Sequence, residues 1–226
     1  MFLTRILSHS QAIVAILTLC MTCADTTGQG SAPVTLPPKD LVVIGNSLTC
    51  HPPEPDLGWV DSWGMAASSA EKDFAHLIGF SFNIPVRTTY FLTIETTPNI
   101  AGGEIQSVAA LVNSTSMVVI ELGDNVNAST FADFKAQYVK LLDSVKHARV
   151  WACTSTWWRD NEKDAFIKQA CISRGGLYVF IGDIYTDPAN QDSQCFQFSN
   201  PGVNSHPHDW SMARIAERIC AATLRR

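Results

Sequence analysis

The chain has 226 residues, 46% of them hydrophobic and 16% charged, and a net charge of -5. That balance is ordinary for a folded soluble protein. With no basic cluster, it argues against nucleic acid or an anionic membrane surface as the partner.

Residues 1–24 read as an export signal. Arg5 supplies a positive start, 12–21 is an almost unbroken apolar run, and small residues follow at Thr22, Cys23 and Ala24. This layout predicts cleavage after Ala24. The run is short for a bilayer span, and polar residues follow it at once, so no membrane span is expected after signal removal. Lipoprotein anchoring at Cys23 is the alternative, but Cys20 and Thr22 fit poorly with the small residues such a site requires. The protein is therefore expected to be secreted or periplasmic. Residues 25–39 are rich in Thr, Gly, Ser and Pro and read as a flexible linker. Residues 40–226 remain, roughly 185 residues, enough for one domain with a single core.

Seven cysteines are present, two of them inside the signal. The others, Cys50, Cys153, Cys171, Cys195 and Cys220, allow at most two disulfides, and their pairing does not follow from spacing. Sequons occur at Asn113 and Asn127.

The expected elements alternate. Residues 41–45 are a short apolar run ending in Gly-Asn-Ser, as a buried parallel strand reads. A helix is expected over 64–82, a strand over 85–92, a short helix over 104–111 and a strand over 117–122. The next helix spans 131–145, with apolar residues at Phe131, Phe134, Tyr138, Leu141, Leu142 and Val145 and an acid, Asp133, in its first turn. A strand over 149–153, a helix over 162–173, a strand over 177–181, a loop over 182–205 and a helix over 209–224 complete the chain. Such alternation predicts a three-layer α/β/α sandwich around a five-stranded parallel sheet.

Ligands of open parallel sheets sit beyond the carboxyl ends of the strands. Three segments bring polar residues to that edge: Asn46-Ser47, Asp124-Asn125, and the loop bearing His206 and His208. Ser47 is either a turn or helix-capping serine or an exposed nucleophile. Asn125 is either a turn former or a donor to an oxyanion. His206 is either a loop histidine at a helix entry or the base that a serine nucleophile needs. His51 lies in a Pro-rich loop and His76 on an expected helix face.

Taken together, these segments resemble the SGNH (GDSL-like) hydrolases. Leu-Val-Val-Ile-Gly-Asn-Ser-Leu-Thr over 41–49 is similar to their nucleophile motif, with Asn46 where Asp is commoner. Glu121-Leu-Gly-Asp-Asn125 is similar to their Gly-x-Asn block, and 206–216 to their closing His-Pro-x-Asp segment. The resemblance implies a flavodoxin-like fold with Ser47 as nucleophile and His206 as base. It also implies an oxyanion site from the Ser47 amide, a glycine amide and the Asn125 side chain.

Two departures stand out. The family's Asp, three residues before the histidine, is Val203 here. A backbone carbonyl, or a carboxylate such as Asp183 or Asp187, would have to orient the imidazole instead. The family's glycine block should fall near Ile94-Glu95, where no glycine occurs, and Gly102-Gly103 lie late. Glu95 is either a substrate contact, the missing acid or, as the default expectation, a solvated surface glutamate.

The segment 51–63 contains Pro52, Pro53, Pro55, Gly58, Trp59 and Trp63, and is expected to wall the substrate site. Trp59, Trp63, Trp157, Trp158 and Trp210 are expected at or near that edge, stacking on sugar rings or covering core. The sequence holds no phosphate-binding glycine loop and no metal-ligand spacing, so no cofactor or metal is expected. The expected activity is hydrolysis of small acyl esters, O-acetyl on carbohydrate foremost, by a monomer acting on a small-molecule or polysaccharide ester. A lipase or lysophospholipase, an acyltransferase and a non-catalytic carbohydrate-binding protein are the alternatives.

Overall fold

The computed structural model describes residues 36–189 and 198–225. The expected export signal, Cys23, nearly all of the linker and Cys195 lie outside them. Five strands form one sheet: β1 (Asp40–Gly45), β2 (Val86–Tyr90), β3 (Ser116–Glu121), β4 (Val150–Thr154) and β5 (Leu177–Val179). Their order is β2-β1-β3-β4-β5 and every pair is parallel. This is the flavodoxin-like order, whose direction reverses between β1 and β3.

The near-continuous apolar runs of β1 and β3 follow from burial on both sides. Val42 and Ile44 of β1, with Val118 and Ile120 of β3, face one core. Leu41, Val43, Met117 and Val119 alternate with them and face the other. Helices α3 (Gly102–Ala109), α4 (Phe131–Val145) and α5 (Asn161–Ile172) supply the first core through Ile105, Val108, Phe134, Tyr138, Leu141 and Ile167. Helix α1 (Phe74–Phe82) and the last helix, Asp209–Leu224, supply the second through Phe74, Ile78, Met212, Ile215 and Ile219. Among the described residues, short α-helices also lie between strands or in the final loop: α2 (Thr93–Thr96), α6 (Gly182–Tyr185) and α7 (Pro201–Asn204). The last helix is accordingly α8. No described helix is long and apolar enough to cross a membrane.

The helix expected over 64–82 is shorter than its composition implied. Asp73 accepts the His76 backbone N–H and caps α1 there, and Ala66 has a φ of 72°, outside helical backbone. The strand expected over 85–92 stops at Tyr90 and turns into α2. The loop expected over 182–205 contains α6 and α7. Cys50, Cys153 and Cys220 carry free thiols.

Gly64 ties the segment after the Ser47 loop to the core. A Cβ there would stand 2.5 Å from the Leu48 carbonyl oxygen and 2.9 Å from Met212 Cε. Gly64→Ala is therefore expected to lower stability by about 1–3 kcal/mol. Gly102→Ala, with nothing within 4 Å of the added carbon, should not. Urea midpoints of the two variants test the contrast, and equal midpoints would refute it.

Candidate active site

Ser47 lies two residues beyond Gly45, the last residue of β1, at the point where the sheet order reverses. Asn46 turns the chain there: its Oδ1 accepts the Leu48 N–H at 3.2 Å, and its carbonyl accepts Thr49 N–H and Cys50 N–H. The Met65 N–H donates to the Ser47 carbonyl at 2.8 Å, so the 51–63 segment folds back against the serine. Within that segment Glu54 and Trp59 pair through their backbones, and Trp59 Nε1 donates to the His51 carbonyl at 3.2 Å.

His206 arrives from 159 residues away in the sequence, and its Nε2 lies 2.8 Å from Ser47 Oγ. Its Nδ1 lies 2.8 Å from the Gly202 carbonyl oxygen. A carbonyl can only accept, so Nδ1 carries the proton and Nε2 is left to accept the Ser47 hydroxyl. The histidine turn is pinned at several points. Asn200 accepts the N–H groups of Gly202 and Val203, Trp157 Nε1 donates to the Ser205 carbonyl at 3.0 Å, and His208 Nε2 bonds the Asn204 carbonyl at 3.1 Å. The Trp158 ring meets His206 edge-on, with centroids 5.1 Å apart. Burial, with smaller contributions from His51 and His208, pushes the His206 imidazole down to about 4. The ring is therefore neutral, and competent to take a proton, at every pH above that value.

Asp183 and Asp187, the carboxylates considered as orienters, do not reach His206. Asp183 forms an ion pair with Arg218 of α8, and Asp187 accepts the Ala189 N–H. The Gly202 carbonyl holds the ring in their place. Val203, at the position of the family's Asp, is buried against Trp59 and Met65.

Glu95 is not a surface residue. It is fully buried on α2, and its carboxylate accepts Asn46 Nδ2 at 3.1 Å, Asn125 Nδ2 at 2.9 Å and the Gly123 N–H. It is not the missing acid either, since its partners are these amides. Gly102 and Gly103 open α3, where a Cβ added to either would meet nothing within 4 Å, and neither lines the cavity that holds Ser47.

Around Ser47 and His206 lies a cavity of about 390 Å³ that also takes in His51, Glu54, Tyr90, Asn125 and Trp158. Of the five tryptophans expected near this edge, Trp158 lines the cavity. Trp59 and Trp157 are wholly buried, and Trp63 and Trp210 pack on the cores. Among the described residues, no group of three or more His, Cys, Asp or Glu side chains is arranged to hold a metal. Tyr90 and Glu54 were not singled out in the sequence. Only the pairing of β2 with β1 and the fold of the 51–63 segment bring them to the serine.

No family model and no curated protein matches the chain. Solved structures do. A protein assigned as a GDSL-like lipase from Bacteroides ovatus aligns with a TM-score of 0.56 at 12% identity, over 84% of this chain and 100% of that one. A member of the lipolytic protein G-D-S-L family from Veillonella parvula aligns at 0.51 and 11% identity, over 83% and 100%. A carbohydrate esterase, whose active site is described as having divergent catalytic and non-catalytic binding functions, aligns at 0.50 and 13% identity, over 85% and 70%. The chain has the fold these proteins share.

Proposed function

We propose that this chain is an exported serine ester hydrolase of the SGNH type that removes small acyl groups, O-acetyl foremost, from carbohydrate. The observation that carries the proposal is the 2.8 Å contact between Ser47 Oγ and His206 Nε2 at the reversal point of the sheet. In the proposed reaction, His206 Nε2 takes the Ser47 proton as Oγ attacks the ester carbonyl. The oxyanion is received by the Ser47 backbone amide and the Asn125 side-chain amide. The intermediate collapses, His206 returns the proton to the leaving sugar oxygen, and water repeats the sequence on the acyl-serine.

The cavity supports a small acyl group and a polar leaving group. Its 390 Å³ is near the lower end for small-molecule sites, and His51, Glu54, Tyr90 and Asn125 offer hydrogen-bonding groups to hydroxyls. Trp158 offers an apolar edge. A binding protein without turnover is the second reading, favoured by the absence of a carboxylate on His206 Nδ1.

Intact-mass labelling with a fluorophosphonate decides between them. One adduct on wild type, absent from Ser47→Ala, together with turnover of p-nitrophenyl acetate in preference to long-chain esters, is the expected result. Polysaccharide binding with neither label nor turnover would overturn the hydrolase reading, and a long-chain preference would overturn the small-acyl one.

A further inference from the structure

Asn125 is an exposed residue of the loop after β3. A planar side-chain amide there is useful to an oxyanion only if its direction is set. One of its two N–H groups donates to Glu95 Oε2 at 2.9 Å, which leaves the other to point elsewhere. Glu95 also draws in the Gly123 N–H, whose residue has a φ of 133°, and Asn46 Nδ2 at 3.2 and 3.1 Å from its two oxygens. Asn46 in turn caps the nucleophile turn through Leu48 N–H. One carboxylate thus joins the residue before the nucleophile to the oxyanion donor.

We propose that Glu95 is the positioning residue of the oxyanion site, its buried carboxylate gathering Asn46, Gly123 and Asn125 so that the Asn125 amide is held facing the substrate. The inference rests on the esterase reading for its catalytic consequence, but the pairing itself does not depend on it. Only an acceptor-only group receives three donors at once, and a glutamine would turn an N–H toward Gly123 or Asn125. The same chemistry accounts for Asn46. An aspartate there would set carboxylate against carboxylate, whereas the amide donates to Glu95 and still accepts Leu48 N–H. Position 95 carries the charge that the family's motif carries at 46.

The pairing is pH-sensitive. Burial pushes Glu95 up to about 7, against the lowering effect of its bonds from Asn125, Gly123 and Asn46. The groups of like sign that face it are Asp124, Glu121 of β3 and, when ionised, Tyr90 of β2. Lys163 of α5 acts on Asp124. Glu121 and Asp124 are themselves raised by burial. Protonation of Glu95 replaces an acceptor by an O–H donor and releases Asn125. Activity is therefore expected to fall as pH drops through about 7, well above the value at which His206 protonates.

The test is an NMR titration of the Asn125 side-chain amide, assigned with Asn125→Ala, beside pH profiles of wild type and Glu95→Gln on p-nitrophenyl acetate. The Asn125 resonance should titrate near pH 7 in wild type and not in Glu95→Gln. The variant should lose roughly 10²-fold in kcat, with KM within about threefold, and should lack the acid limb. A wild-type Asn125 amide that does not titrate, or a Glu95→Gln enzyme with wild-type kcat and acid limb, would overturn the proposal. The titration is read on unsubstituted protein, so a misfolded variant does not blunt it. Titration without any turnover or fluorophosphonate label would uphold the pairing and sink the esterase reading instead.

Discussion

Ser47→Ala and His206→Ala are each expected to lower kcat on a small ester by on the order of 10⁵-fold, and the double variant by no more than either alone. The reason is that the two act as one unit in the proposed reaction. Without the imidazole the hydroxyl keeps its proton at neutral pH, and without the hydroxyl the imidazole has nothing to activate. Their 2.8 Å contact is the shared element. The Gly202 carbonyl fixes the imidazole tautomer as a carboxylate does, but it carries no full charge to stabilise the imidazolium that the proposed reaction would form. Turnover is expected to be slower than with a charged orienter. Steady-state kinetics of the three variants, with thermal melts to show that each folds, make the check. Losses that add in the double variant would mean that Ser47 and His206 serve separate steps.

Val203→Asp is expected to destabilise the protein without raising kcat, although it restores the family's residue at that place. Val203 is 1% exposed and packs with Trp59 and Met65 at the wall of the cavity. An ionised carboxylate there would be buried without a partner, at a cost of about 3–5 kcal/mol. In a domain of this size that is a fall of roughly 10 °C in Tm. His206 Nδ1 is already satisfied by Gly202, so the new acid has no vacant donor to take. A variant that melts like wild type with several-fold higher kcat would show instead that the turn rearranges to form a triad. Calorimetry and p-nitrophenyl acetate kinetics on the same preparation distinguish the two.

Both expectations concern a site whose parts were unequally visible beforehand. The strands were legible to within a residue or two, with β2 and β5 each ending two residues early. A strand buried on two faces needs an unbroken apolar run, and 41–45 and 117–122 have one. That Ser47, Asn125 and His206 reach one edge was legible for a related reason: each follows a strand or opens the last helix, and the right-handed crossovers of a parallel sheet send those ends to one side. The start of α1 was less visible, because Asp73 as a cap and the left-handed backbone at Ala66 depend on single residues within a composition that reads as helix throughout.

The amino-acid sequence by itself determined the layer architecture, the parallel sheet and the edge at which Ser47, Asn125 and His206 meet. These follow from periodicity and chain order, which are local properties. Tertiary structure alone decided what holds each of them. Glu95, in Thr-Ile-Glu-Thr-Thr, reads as a surface acid, and its burial comes from partners 49, 28 and 30 residues away at Asn46, Gly123 and Asn125. The Gly202 carbonyl belongs to every residue type alike and leaves no mark in sequence; it became the orienter because α7 aims it at Nδ1. A buried polar group is defined by the donors that surround it, and those donors are assembled only when distant segments pack.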